Sequence, residues 1–177
     1  DVEPCSILPV QSAQAERCQF LQTCDQRDLR INLELYTIFI VILCVKFMLK
    51  ELLSDIISVD DVLLVVKSNG ATSEMRSNSL SIRQKDQWIT IGDNDGPCHM
   101  HVNPYMIKHA EFVMEEKPER ISFSVRFFDN SDERILACFF TKMYDEDKNL
   151  KLERKKLYDD LLEKYGQKIE IKRLMSS

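Results

Sequence analysis

The chain has 177 residues, enough for one ordinary domain with a sizeable core. Its 44% hydrophobic and 30% charged residues sit close to globular averages and exclude wholesale disorder. A net charge of −5, with no dense Lys/Arg patch interleaved with aromatics, argues against a nucleic-acid or anionic-membrane partner.

Residues 1–31 are polar, irregular and Gln-rich, with Pro4 and Pro9 and no clean period; they are expected to form an extension with weak structure. An uncharged apolar run follows from Leu35 to Val45. It is short of the roughly 20 residues that span a bilayer, and Lys46 and Lys50 interrupt it. It reads as a core-packing or interface helix, or as a strand in its β-branched first half, with a membrane anchor as the alternative. The expected division is therefore an N-terminal extension, 1–46, and a domain, 47–177.

Within that domain, Phe47 to Ile57 has helical spacing and stops at Ser58-Val59-Asp60-Asp61. Val62 to Val66 is apolar on both faces, the pattern of a central strand. Asn69-Gly70 is a hairpin signal that makes Ala71 to Arg76 the partner strand. Leu80 to Arg83 alternates, and Trp88 to Ile91 is a further strand before the turn at Asp93. Ile107 to Glu115 reads as strand, Lys117 to Arg120 as turn. Ile121 to Asp129 alternates cleanly, with Ile121, Phe123, Val125 and Phe127 on one face and Ser122, Ser124, Arg126 and Phe128 on the other. Arg134 to Lys142 returns as the next strand, apolar on both faces. Asn149 is placed to cap a helix from Leu150 to Tyr165 with a stripe of Leu150, Leu157, Leu161 and Tyr165, ending at Gly166. Short strands, hairpin turns and terminal helices predict an α+β fold: a curved antiparallel sheet with flanking N- and C-terminal helices.

The residues richest in chemistry are Cys98-His99-Met100-His101-Val102, after the turn Asp93-Asn94-Asp95-Gly96-Pro97. Two of the chain's three histidines lie here. On a strand, His99 and His101 share a face, and Met100 and Val102 take the other. Paired imidazoles suit a metal, a haem iron or acid–base work. The pair is similar to the start of a cupin metal motif, but Tyr105 and Met106 stand where that motif needs an acid. A closed metal site needs three or four ligands, and the nearby candidates are Cys98, Asp95 and His109.

Other motifs are excluded. Asp145 to Asn149 imitates the start of a calcium loop but has Leu150 for the required Gly and Lys156 for the required Glu; it reads as a turn and cap. Pro97-Cys98 reverses the Cys-Pro order of thiolate haem-regulatory motifs. No phosphate loop, Walker motif or Gly-x-Ser-x-Gly elbow occurs. Six cysteines show no Cys-x-x-Cys spacing, against a zinc ribbon or thioredoxin-type site. Asp1 begins neither a basic n-region nor an early apolar run, so the expectation is reduced thiols in a cytoplasmic setting.

Residues from about Phe47 to Gly166 resemble the haem-utilisation proteins of the HemS/ChuX/HutX type. The resemblance rests on Gly92-Asp93-Asn94-Asp95-Gly96-Pro97-Cys98-His99-Met100-His101-Val102, similar to that family's loop and His-bearing strand. Ile107 to Met114 is similar to the strand that follows. Ser122 to Asp129 and Arg134 to Phe140 look like its Ser-Val-x-Phe-Phe hairpin. The resemblance implies a homodimer binding haem in a cleft, with His99 or His101 as axial ligand to the iron. Arg126 becomes the candidate propionate partner, since a guanidinium pairs carboxylates bidentately; Arg83 and Lys108 are further candidates. The implied function is an intracellular haem carrier or chaperone in iron utilisation. The alternatives are a non-catalytic dimeric interaction module without haem, and a metal-dependent or haem-degrading enzyme using the His99/His101 pair.

Overall fold

The computed structural model describes residues 48–171, all within the second of the chain's two units, Val41–Ser177. The expectations for the polar extension and the apolar run lie outside the described residues, as do Cys5, Cys18, Cys24 and Cys44.

Helix α1 (48–58) buries Leu49, Leu52, Leu53 and Ile56 completely, the i, i+3, i+4, i+7 stripe of an amphipathic helix. Its chain then reverses through Asp61 at φ 59° into strand β1 (Val62–Lys67). The predicted Asn69-Gly70 turn is closed by Ser68 N–H donating to Ala71 O at 2.9 Å, leading to β2 (Thr72–Arg76). A second group follows: β3 (Ile82–Lys85), β4 (Trp88–Gly92) and β5 (His99–Val102). A 3-10 turn at Pro104–Met106, capped by the Asn103 side chain, precedes β6 (His109–Lys117). Then come β7 (Arg120–Phe128), β8 (Arg134–Phe140), helix α2 (Leu152–Tyr165) and β9 (Lys168–Glu170).

The strands form a six-stranded sheet in the order β2-β1-β8-β7-β6-β9 and a three-stranded sheet β3-β4-β5, with every pairing antiparallel. The fold is α+β, an open, curved sheet architecture flanked by helices, as the sequence predicts. The alternation expected of β7 holds from Phe123 through Val125 to Phe127, all buried in the core, whereas Ile121 is exposed and Ser124, on the other face, is buried as well. At its centre the Tyr158 ring of α2 meets Phe112, Phe123 and Phe140 edge-on, with centroids 5.5, 5.3 and 5.2 Å away. That edge-to-face geometry suits the ring quadrupoles. Ile89, Ile91 and Val102 of the three-stranded sheet join the same core. Among the described residues no helix is long and apolar enough to cross a membrane.

Three details differ from expectation around α2. Asn149 does not cap the helix; its N–H donates to the Asp145 carboxylate at 2.8 Å, closing a turn, and Lys151 takes the N-cap position without a side-chain bond. Leu157 is exposed and Tyr158 buried, because the aromatic ring fills the gap among three phenylalanines that a leucine one position earlier cannot reach. Strand β9 has only three residues, too few to show a period.

Candidate functional site

The three-stranded sheet presents one face to the core and one outward. In β4 and β5, Ile89 pairs with Val102 and Ile91 with Met100, and these side chains turn inward to the core. The intervening positions turn the other way. Thr90 lies between Arg83 of β3 and His101 of β5, Trp88 opposite Lys85, and Gly92 opposite His99. The outer face therefore gathers two cations, an indole, a hydroxyl and two imidazoles within three short strands.

His99 and His101 do share this face, as predicted, with ring centroids 5.1 Å apart at 66°. Both residues are exposed. The Trp88 ring meets His101 edge-on at 6.3 Å. The nearly buried Thr90 hydroxyl shares a hydrogen bond with His101 Nδ1 at 3.0 Å, which holds that ring's orientation. Arg83, Lys85, Asp86, Trp88, Thr90, Asn94 and His101 line a cleft of about 350 Å³.

The turn that brings β5 beside β4 depends on Gly92. Its φ is +86°, and a Cβ there would lie 2.6 Å from the Cys98 carbonyl oxygen. Only glycine permits both the left-handed backbone and that approach. Gly96 N–H donates to Asp93 O at 3.0 Å, the tight turn expected of the Asp-Asn-Asp-Gly run. Arg83 reaches Asp93 at 3.3 Å. The hydrogen bond from that guanidinium, helped by the backbone N–H of Asp95, holds the Asp93 carboxyl below the usual carboxylate range.

The other expected residues are distributed elsewhere. Arg126 lies on β7 of the six-stranded sheet, paired with Glu115, while its Nε donates to Ser124 Oγ at 3.2 Å. It lines a different cleft, of about 490 Å³, with Lys67, Ser68, Asn69, Phe128, Glu133 and Arg134, and the two clefts share no residue. Lys108 is engaged by Asp132 at 2.7 Å. Arg83 is thus the predicted cation that the fold brings to the His101 cleft. Lys85 and Trp88 also belong there and were not singled out from sequence. Their signal was the hairpin itself: once β3 and β4 are registered across Asp86-Gln87, Lys85 and Trp88 face each other.

The third histidine, His109, is buried in β6, stacked on Phe128 with centroids 4.7 Å apart. Its Nε2 lies 3.3 Å from Glu111. Among the described residues no group of three or more His, Cys, Asp or Glu side chains converges on one point, so neither His109, Asp95 nor Cys98 completes a closed metal site with the pair. Cys98 is free and exposed, and Cys138 is buried, where burial pushes its thiol up to about 12.

A protein-family model matches residues 50–165, more than half of the chain. The solved structures it is similar to include the heme-binding protein ChuX, at 14% identity and TM-score 0.53, covering 63% of this chain and 68% of that one. The chain belongs to the family that this model describes, and its fold is of the ChuX type. Holo-PhuS, a heme-binding protein from Pseudomonas aeruginosa, aligns at 15% identity and TM-score 0.52 over 63% of this chain. ChuS, an E. coli heme oxygenase, aligns at 13% identity and TM-score 0.52 over 64% of it. The chain spans only 31% of PhuS and 35% of ChuS, so it corresponds to about one third of each. At these identities the likeness is one of fold. No curated protein matches the chain.

Proposed function

We infer that this member of the family binds haem and serves as a cytoplasmic carrier or chaperone in haem and iron utilisation, acting as a homodimer. The observation that carries the reading is the outer face of the three-stranded sheet, where His101 stands beside Trp88 and two cations and the second exposed imidazole, His99, adjoins it. That donor set suits a flat, apolar macrocycle with an iron centre and two carboxylates. An imidazole coordinates the iron, an indole packs against a ring, and a guanidinium or ammonium pairs a propionate. His99 or His101 is the proposed axial ligand. Arg83 and Lys85 are the propionate partners at this face; Arg126, tied to Glu115 on the other sheet, is the alternative. The names of ChuX and PhuS as heme-binding proteins support the same reading.

The test is a hemin titration followed by absorbance. Wild type is expected to show a saturable Soret shift at about one haem per chain, lost in His99→Ala or in His101→Ala, whichever is the ligand. Arg83→Ala weakens binding several-fold, and Arg126→Ala leaves it unchanged. Weak, unsaturable binding equal in all variants would sink the haem reading. Reductant and oxygen added to the haem complex distinguish carriage, which preserves the Soret band, from degradation, which bleaches it.

A second reading, a dimeric interaction module without haem, is favoured by one feature. Beyond the short β9, which pairs only with His109 to Glu111, apolar Met114 and Ile121 are left exposed at the far end of the β6–β7 hairpin. On that reading the protein stays colourless with hemin and sediments as a dimer.

A further inference from the structure

The geometry points to a second ligand for the same strand: His99 and His101 together chelate a single free divalent transition-metal ion, zinc or a near relative, on the open edge of β5. An imidazole nitrogen holds zinc at about 2.0–2.1 Å, which places the metal about 3.2 Å from the ring centroid. Two rings sharing one ion then have centroids about 4.5 Å apart at a right angle and about 5.2 Å apart at a tetrahedral angle. The separation of 5.1 Å lies between these limits.

Two further observations fit. Both imidazoles stand on an exposed face, where a metal and its remaining water ligands have room. The nearly buried Thr90 hydroxyl lies 3.0 Å from His101 Nδ1. With Nδ1–H donating to that oxygen, the Nε2 lone pair is left for the metal, the arrangement in which an outer hydrogen bond orients a metal-bound histidine. Because no third side chain of metal-binding type joins them among the described residues, the site is open, with solvent in the other positions. Such a site suits an exchangeable ion rather than a structural one. The ligand class follows from the donors, since imidazole pairs favour zinc, copper and nickel over magnesium or calcium. The inference is independent of haem: an axial bond uses one imidazole, chelation uses two.

The test is a zinc titration of the full, haem-free chain, read by nitrogen-15 resonances of the imidazole rings; these separate this site from zinc taken up by cysteines. The ring resonances of His99 and His101 are expected to shift together and saturate at one equivalent. His99→Ala or His101→Ala should each weaken the site about tenfold or more, and Thr90→Val by about tenfold with an unchanged amide spectrum. Ring resonances unmoved by saturating zinc would overturn the proposal. So would a ring that responds identically after its partner is replaced, because one imidazole would then be acting alone. An unchanged zinc affinity in Thr90→Val would remove the positioning role of that hydroxyl.

Discussion

Strands β7 and β8 of the six-stranded sheet are shielded on both faces, whereas β4 and β5 of the three-stranded sheet are shielded mainly on one. Ser124 and Ala137 are fully buried even though they lie on the face opposite the Tyr158 cluster. In the smaller sheet, Ile89, Ile91 and Val102 enter the core, and His99, His101, Arg83, Lys85 and Trp88 sit between them on the outside. Side chains on that outer face can change without opening a cavity. A cavity, by contrast, follows from truncating the buried apolar side chains of β7 and β8. The contrast predicts that stability is lost at one sheet and ligand binding at the other.

The largest effect should come from Tyr158→Ala. It removes a ring that is 1% exposed and in contact with three phenylalanines, at a cost of about 3–5 kcal/mol, measured by urea unfolding. A loss near 1 kcal/mol would mean the aromatic cluster closes over the gap and the larger sheet is less rigid than its burial implies. Gly92→Ala crosses the divide, since it acts on the smaller sheet through the backbone. The left-handed φ and the approach of the Cys98 carbonyl should cost about 2 kcal/mol. Because Cys98 precedes His99, binding of hemin and zinc should weaken in the same variant. Unchanged stability with weakened binding would show that the strain is relieved by moving β5.

How much of this was legible beforehand follows from the same contrast. The spacing of Phe123, Val125 and Phe127 and the stripe of Leu49, Leu52, Leu53 and Ile56 are local patterns of residues that enter the core, so they read directly from sequence. The shared face of His99 and His101 is equally local, two residues apart on a strand. The company they keep is not local. Arg126 and Arg83 are both cations on alternating strands, and only the assignment of β7 and β3 to different sheets separates them. Tyr158 displaced Leu157 from the core for a reason of the same kind: the gap it fills is made by β6, β7 and β8.

A smaller effect is expected where α1 meets the larger sheet. The buried Ser77 hydroxyl donates to Val59 O at 2.7 Å and accepts from Val62 N–H at 3.1 Å, tying the turn after α1 to the end of β2. Ser77→Ala leaves a backbone carbonyl and a backbone N–H short of partners, at about 1–2 kcal/mol. A neutral result would indicate that water replaces the hydroxyl there.

The smallest effect is one of pH, and it sets a carboxylate of the helices against one of the smaller sheet. Burial pushes the Asp55 carboxyl up, but hydrogen bonds from Lys164 and the Tyr165 hydroxyl, both 2.7 Å, outweigh it and hold the group below its ordinary 3.8. A carboxyl lowered in the folded state binds its proton more readily once unfolded. Its stabilisation is therefore complete above about pH 4 and disappears as pH falls through the lowered folded value. The Asp55 side chain is still 32% exposed, so solvent screening limits the effect to about 1 kcal/mol. Urea midpoints at pH 6 and pH 3 should accordingly differ less in Asp55→Asn than in wild type. Asp93→Asn removes a carboxyl shifted the same way by Arg83, but one that lies open to solvent beside the histidines, and its influence on the midpoint should be smaller still. If Asp93 proved the more important, the smaller sheet would be contributing to stability through its outer face, and the separation between holding the fold and meeting a ligand would have to be drawn elsewhere.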